Sequence, residues 1–220
     1  MAQNSTKVSH NFQCVIKVHI NIVILNFSAI TEAEKIEIRR NFLQSFGHEP
    51  LYQIALQAAV SIGKIARYDV PREWPDLLPA LVQAVQSNES ILQHRALLVL
   101  HHVIKSLASK RYLKYQGTFK STLPDFTKFF RLAADRRVFH DMIEELLPFL
   151  FPIWQHHHGL IVQNTDQITD ELIEKAVLVL KVIRKSIVHG LRKPSENDNA
   201  MVFIRTMTEQ IPVVLPLSKS

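Results

Sequence analysis

Apolar residues recur three and four apart along most of this chain, with short polar stretches between the runs. Ile36, Ile38, Phe42, Leu43 and Phe46 give residues 31–46 one apolar side, the pattern of a helix resting on a core. Thr31 and Glu34 have the spacing of a capping box at its start. Gly47 is placed to stop it. From Pro50 onward, Leu51, Ile54, Ala55, Ala58, Ile62, Ile65 and Ala66 share a face, so a second helix is predicted. Small residues at 55, 58, 59 and 66 would let a neighbouring helix come close. Val70 stands before Pro71 and is pushed out of the α region, so this helix must end near Asp69.

Pro75 fits the first turn of the next helix, where its missing N–H costs nothing. That helix puts Leu77, Leu78, Leu81, Val82 and Val85 on one side and Asp76, Gln83 and Gln86 on the other. Ser87 or Asn88 then caps a helix from Glu89 to about Ala108. Its stripe of Leu92, Ala96, Val99, Leu100, Val103 and Leu107 is widened by Leu97, Leu98 and Ile104, which predicts burial on two sides. Periodicity resumes at Leu132 and runs through Phe139, Met142, Ile143, Leu146, Leu147, Leu150, Ile153 and Trp154. Pro148 and Pro152 predict a kink or break within it. A polar loop at Asn164-Thr-Asp166 leads to a helix reaching His189, stopped by Gly190 and Pro194. A last helix covers about Asp198 to Gln210 and continues toward Val214 with a bend at Pro212.

Three helix pairs follow: 50–69 with 74–87, 89–108 with 132–157, and 166–190 with 197–214. The first two start 39 residues apart, just under the period of about 40–47 expected for HEAT-type repeats. The third starts 77 residues after the second, or 58 if residues 112–130 are an insertion. Such pairs cannot bury their apolar faces alone, so they stack. The fold class is therefore all-α, an α-solenoid of HEAT repeats in which antiparallel helix pairs form a right-handed superhelical arch. A four-helix bundle competes less well, because the helices are too many and one is apolar on two sides.

Composition narrows the function. Apolar residues make up 47% and charged residues 21%, too apolar for a disordered chain. Five glycines argue against phosphate loops built on several of them. The lone cysteine, Cys14, excludes an internal disulfide and a zinc site of several thiolates. No run reaches about 18 uninterrupted apolar residues, so a membrane-spanning helix is not expected. The net charge is +6, but residues 1–29 and 112–130 supply +4 of it. The nearly neutral body lacks the cationic stripe that binding to nucleic acid requires.

The stretch Ile65-Ala-Arg67-Tyr-Asp69-Val-Pro71-Arg-Glu-Trp74-Pro75-Asp-Leu77-Leu-Pro79 resembles a signature of the importin-β (karyopherin-β) superfamily. There an Ala-Arg-x-Asp pattern closes the first helix of a pair, and a Pro-x-x-Trp-Pro turn opens the second. The runs Gln93–Leu98, Leu107–Arg111, Leu132–Arg136, Trp154–His157 and Leu180–Lys185 look more narrowly like one importin of that family. The resemblance covers residues 30–111 and 131–215. It implies a nuclear transport receptor that binds the small GTPase Ran in its GTP form, protein cargo and nucleoporins. It implies no cofactor, no catalysis and no membrane insertion. The location implied is shuttling between cytoplasm and nucleus, with the nuclear envelope on the route. By this resemblance the second helices of the pairs line the concave side and meet Ran. Asp76, Gln83 and Gln86 are the matching polar positions, with Glu37 and Arg40 on the preceding helix.

Two segments depart from the family. Residues 112–130 hold 6 of the 18 aromatic residues and separate elements the family keeps nearly continuous. They read as an insertion, a variable loop or unspliced sequence. Residues 1–29 alternate from Phe12 through Cys14, Ile16, Val18, Ile20 and Ile22 to Ile24, a strand signal where a HEAT repeat would stand. This start reads as a splice or gene-model product, or as a shortened isoform. Lys17, His19, Asn21 and Asn26 break its apolar run, which speaks against a signal peptide. Residues 30–215 form the HEAT unit and 216–220 a tail. Apolar end faces predict poor solubility for the isolated chain.

Eleven histidines raise a metal-enzyme alternative. Neighbours in His101-His102 and His156-His157-His158 point about 100° apart on a helix, however, so they do not share an ion. No nucleophile–base–acid set is visible. Arg67 and Asp69 read as residues that bond neighbouring turns and set the stacking angle. Trp74 reads as a buried wedge, and Arg136-Arg137 and Arg184-Lys185 as solvated faces. A HEAT scaffold with no tie to transport remains the other reading.

Overall fold

The computed structural model describes residues 31–118, 126–163 and 168–214. The alternating run at 12–24, the polar loop at 164–166 and the tail at 216–220 lie outside them. Seven α-helices carry the described residues: α1 (Glu32–Ser45), α2 (Tyr52–Asp69), α3 (Leu77–Val85), α4 (Ser90–Thr118), α5 (Phe126–Gln163), α6 (Asp170–Lys185) and α7 (Asp198–Val214). A π-helical turn, Ser186–Gly190, and a 3-10 turn, Pro194–Glu196, join α6 to α7. No strand occurs among the described residues.

Local chemistry sets the boundaries. At α1 the capping box forms: Glu34 N donates to the Thr31 hydroxyl at 3.3 Å, and Thr31 N donates to the Glu34 carboxylate at 2.8 Å. That satisfies two of the orphan donors at the helix start. Gly47 follows α1 without a left-handed φ, since no described residue has one. A Cβ there would meet the tip of the Leu92 side chain on α4. α2 ends at Asp69, where Val70 turns extended at φ −79° and ψ 135°, as the following proline demands. Pro75 sits in the turn ahead of α3 rather than in its first turn. Pro79 takes the third helical position, another place where an N–H would lack a helical partner.

The helices stack in two rows. α2 packs on α4 and α4 on α6, while α3 packs on α5 and α5 on α7. Contacts of α3 with α4 and of α5 with α6 tie the rows together. The contact of α2 with α4 is the most extensive. Ala55, Ala58, Ala59, Ser61, Gly63 and Ala66 are all buried on α2 and let the backbones approach. The two helices run in the same direction. Tyr52 at the start of α2 stacks on His94 at 6.3 Å, and Gly63 faces the His102 backbone. α6 continues the row, with Glu171 and Lys175 near His94, and Lys181 and Lys185 near His101. On α4, residues Arg95 through Leu100, Val103 and Ile104 are buried, because this helix is covered from both neighbours. This is the stacking of a HEAT-repeat solenoid.

Three expectations are corrected. The break expected at Pro148 and Pro152 does not occur, and α5 continues through both as helix. Both prolines lie on its exposed side with Glu144 and Glu145, so carbonyls left without a helical donor face solvent. Its other side buries Leu146, Leu147, Leu150 and Trp154. The helix expected to reach His189 is regular only to Lys185 and closes in the π turn. The helix expected to end near Ala108 continues as α4 to Thr118, and the one expected from Leu132 starts at Phe126.

Candidate functional site

The turn between α2 and α3 is built around Asp69. Its carbonyl accepts from Glu73 N at 2.7 Å and Trp74 N at 3.2 Å, closing the loop that Pro71 bends. Its carboxylate accepts from Arg39 on α1, from Nε at 2.9 Å and Nη2 at 2.7 Å. Both side chains are buried. Burial pushes the Asp69 carboxyl up from its ordinary value, and the Arg39 guanidinium pulls the other way. Trp74 is 2% exposed, and its indole N–H finds no partner among the described residues. Pro71 is half-buried and Pro75 exposed. Arg67 is half-buried, with its guanidinium 6.0 Å from the centre of the Tyr68 ring.

The start of α4 clamps the neighbouring turns. Arg95 is buried and donates to the carbonyls of Glu49 at 2.9 Å and Pro50 at 3.0 Å, in the connection between α1 and α2. Its guanidinium also lies 5.8 Å from the Tyr52 ring centre. Gln93 donates to the carbonyls of Val85 at 2.9 Å and Ser87 at 3.3 Å, so it covers the end of α3. The run Gln93-His94-Arg95 therefore ties three preceding segments to one helix. Farther along, His140 Nδ1 is paired with the Gly190 carbonyl.

Sequence reasoning passed over Arg39 and chose its neighbour Arg40. The missing signal was position. Arg39 lies three residues before Phe42 and seven before Phe46, both buried, so it belongs to the apolar stripe and needs a counter-charge.

The five polar candidates are all on the surface. Gln83 lies on α3 and Asp76 and Gln86 cap its two ends, all three exposed. Glu37 and Arg40 pair with each other on α1 at 3.3 Å, both well exposed. No hydrogen bond or ion pair joins the α1 pair to the α3 residues among those described. α5, packed beside α3, exposes Asp141, Glu144 and Glu145. Arg137 on α5 and Arg205 on α7 are exposed as well, so this helix row presents a polar surface with charges of both signs, suited to hydrogen bonds and ion pairs with a partner.

The histidines take other places. His101 and His102 meet edge to face at 5.2 Å, His156 and His157 tilt together at 5.5 Å, and His158 stacks on Trp154 at 4.7 Å. Among the described residues no group of three His, Cys, Asp or Glu side chains is placed to hold a metal ion. No described helix is long and apolar enough to cross a membrane.

No family model and no solved structure matches the chain. Curated relatives do. Importin-11 of Mus musculus and of Homo sapiens are each 36% identical to it over 196 residues, 87% of this chain and 18% of the relative. Importin beta-like protein kap113 of Schizosaccharomyces pombe is 28% identical over 156 residues, 66% of this chain and 14% of the relative. Exportin-2 of Homo sapiens is 31% identical over 113 residues, 51% of this chain and 11% of the relative. The chain therefore spans less than a fifth of the length of these relatives. Carried on a two-row stack of helix pairs, this likeness to transport receptors is decisive: the chain belongs to the importin-β (karyopherin-β) superfamily.

Proposed function

We propose that this chain is part of a nuclear transport receptor that binds Ran in its GTP form and carries protein cargo into the nucleus. It acts by binding, without catalysis, shuttles between cytoplasm and nucleus, and touches nucleoporins on the way. The likeness to importin-11 supports the import direction. The observation that carries the Ran reading is the unobstructed polar side of α3, where Asp76, Gln83 and Gln86 stand exposed while Leu77, Leu78, Leu81, Val82 and Val85 are buried behind them. Glu37 and Arg40 extend the candidate surface onto α1.

The test is binding of the purified chain to Ran loaded with a non-hydrolysable GTP analogue or with GDP. The reading expects preference for the GTP-like form. It also expects at least a tenfold loss in the combined variant Asp76→Lys, Gln83→Ala, Gln86→Ala, with helical content unchanged. Binding indifferent to nucleotide would instead indicate a general scaffold. Absence of binding, with the same Ran captured by intact importin-11, would remove the Ran role from this chain.

A further inference from the structure

The row formed by α2, α4 and α6 carries a second surface that the transport reading does not use. His101 and Lys105 stand one turn apart on α4, and Lys181 and Lys185 one turn apart on α6, packed beside it. Lys105, Lys181 and Arg184 are exposed and Lys185 is half-buried. Among the described residues none of these four cations forms an ion pair. Lys175, two turns back along α6, by contrast pairs with Glu171 at 2.8 Å. The four are close enough to repel. Burial, then Lys105, Arg184 and Lys181, hold the Lys185 ammonium below its ordinary value. A partner carrying negative charge would relieve that repulsion on binding.

The shape of the patch selects the partner. From Lys181 to Lys185 is about 6 Å along the axis of α6. Toward the start of α6 the surface turns acidic, with Asp170, Glu171 and Glu174 exposed. A long phosphodiester chain laid along the helices would run into those carboxylates. At the other end, Val188 is 59% exposed one turn beyond Arg184, an apolar contact that a side chain can use.

We propose that the α4–α6 face binds a short acidic polypeptide segment, with its carboxylates on Lys105, Lys181, Arg184 and Lys185 and an apolar side chain against Val188. The site lies on the opposite row from Asp76, Gln83 and Gln86 and does not rest on the Ran reading.

The experiment uses the 220-residue chain and fluorescence anisotropy. The probes are a labelled octapeptide of Glu and Asp with one Leu, the matching Gln/Asn peptide, and an octamer of uridylate. The acidic peptide should bind saturably, weaken with added salt, and bind at least tenfold more tightly than either other probe. The double variant K105E/K185E should lower its affinity at least tenfold, and R205E on α7 should leave it unchanged. Should K105E/K185E lose helical content, K105Q/K185Q serves instead, with weaker peptide binding and a raised melting temperature expected. Equal binding of the acidic and amide peptides, peptide affinity unmoved in these variants, or tighter binding of the uridylate would each overturn the proposal.

Discussion

Arg39 on α1 and Asp69 at the last position of α2 form a buried ion pair in which two guanidinium nitrogens donate to a single carboxylate oxygen, at 2.9 and 2.7 Å. The pair spans 30 residues of sequence. It links the first helix to the turn that carries Trp74. Removing one partner leaves the other charge buried without compensation, which costs roughly 3–5 kcal/mol. Asp69→Ala should therefore lower the denaturation midpoint sharply, and so should Arg39→Ala. Replacing both residues by apolar ones of similar size, R39M with D69L, should cost much less than the sum of the single changes. A double-mutant cycle in urea measures this, and additive losses would show that the pair is not coupled.

Gly63 lies in the middle of α2, where helix propensity alone favours alanine by about 1 kcal/mol. Here a Cβ would meet the backbone of His102, 2.9 Å from its carbonyl oxygen and 3.0 Å from its carbonyl carbon. Backbone cannot swing aside as a side chain can, and overpacking of this kind costs about 1–3 kcal/mol. Gly63→Ala should therefore lower the melting temperature despite the gain in propensity. Gly159 on α5 supplies the contrast, because a Cβ there would meet nothing within 4 Å. Gly159→Ala should raise stability by up to about 1 kcal/mol. If both variants shift the same way, close approach of α2 and α4 is not what Gly63 serves.

That same contact shows how far the fold was readable beforehand. Gly63 and His102 are 39 residues apart, the interval between the first two predicted helix pairs. The apolar stripes were visible because a helix against a core repeats its buried positions every turn. Small residues on α2 foretold a close neighbour for a related reason. What sequence could not display were partners chosen by the stacking. The bonds from Arg95 to the Glu49 and Pro50 carbonyls cross 46 and 45 residues, with no local pattern to mark them. The cations of α4 and α6 likewise meet only once the row has formed. Pro148 and Pro152 misled because the rule that proline breaks a helix takes no account of which side of the helix is wet.

Trp74 is buried in the turn between α2 and α3, at 2% exposure. Truncation to alanine should cost about 3–5 kcal/mol through lost burial and the cavity left behind. Its N–H is a second, separable feature, since no described residue accepts from it. Trp74→Phe loses area and also removes that unpaired donor. It should therefore cost well under half as much as Trp74→Ala. Equilibrium unfolding followed by circular dichroism gives the two values. Equal costs would mean that the wedge is not held by packing.

Acid should unfold this chain earlier than its carboxylates alone would require. His94 and His101 are each depressed from 6.5 to about 4 in the folded state. Burial is the main cause for both. Arg95 and Lys175 add to it at His94, against an opposing pull from Glu171. At His101 the additions come from Lys185, His102, Lys181 and Lys105. Between pH 6.5 and about 4 the unfolded chain therefore holds protons at these two sites that the folded chain does not. Stability must rise with pH across that window, reach its full value above it, and be lost as pH falls through it. Near pH 5 these two residues should contribute uptake of about two protons on unfolding. H94Q/H101Q should flatten the slope of stability between pH 6.5 and 5 while leaving the slope above pH 7 unchanged. Urea titrations of both proteins at half-unit pH steps measure it. Identical slopes in the two proteins would mean that the imidazoles are not held neutral by the packing of α4 against its neighbours.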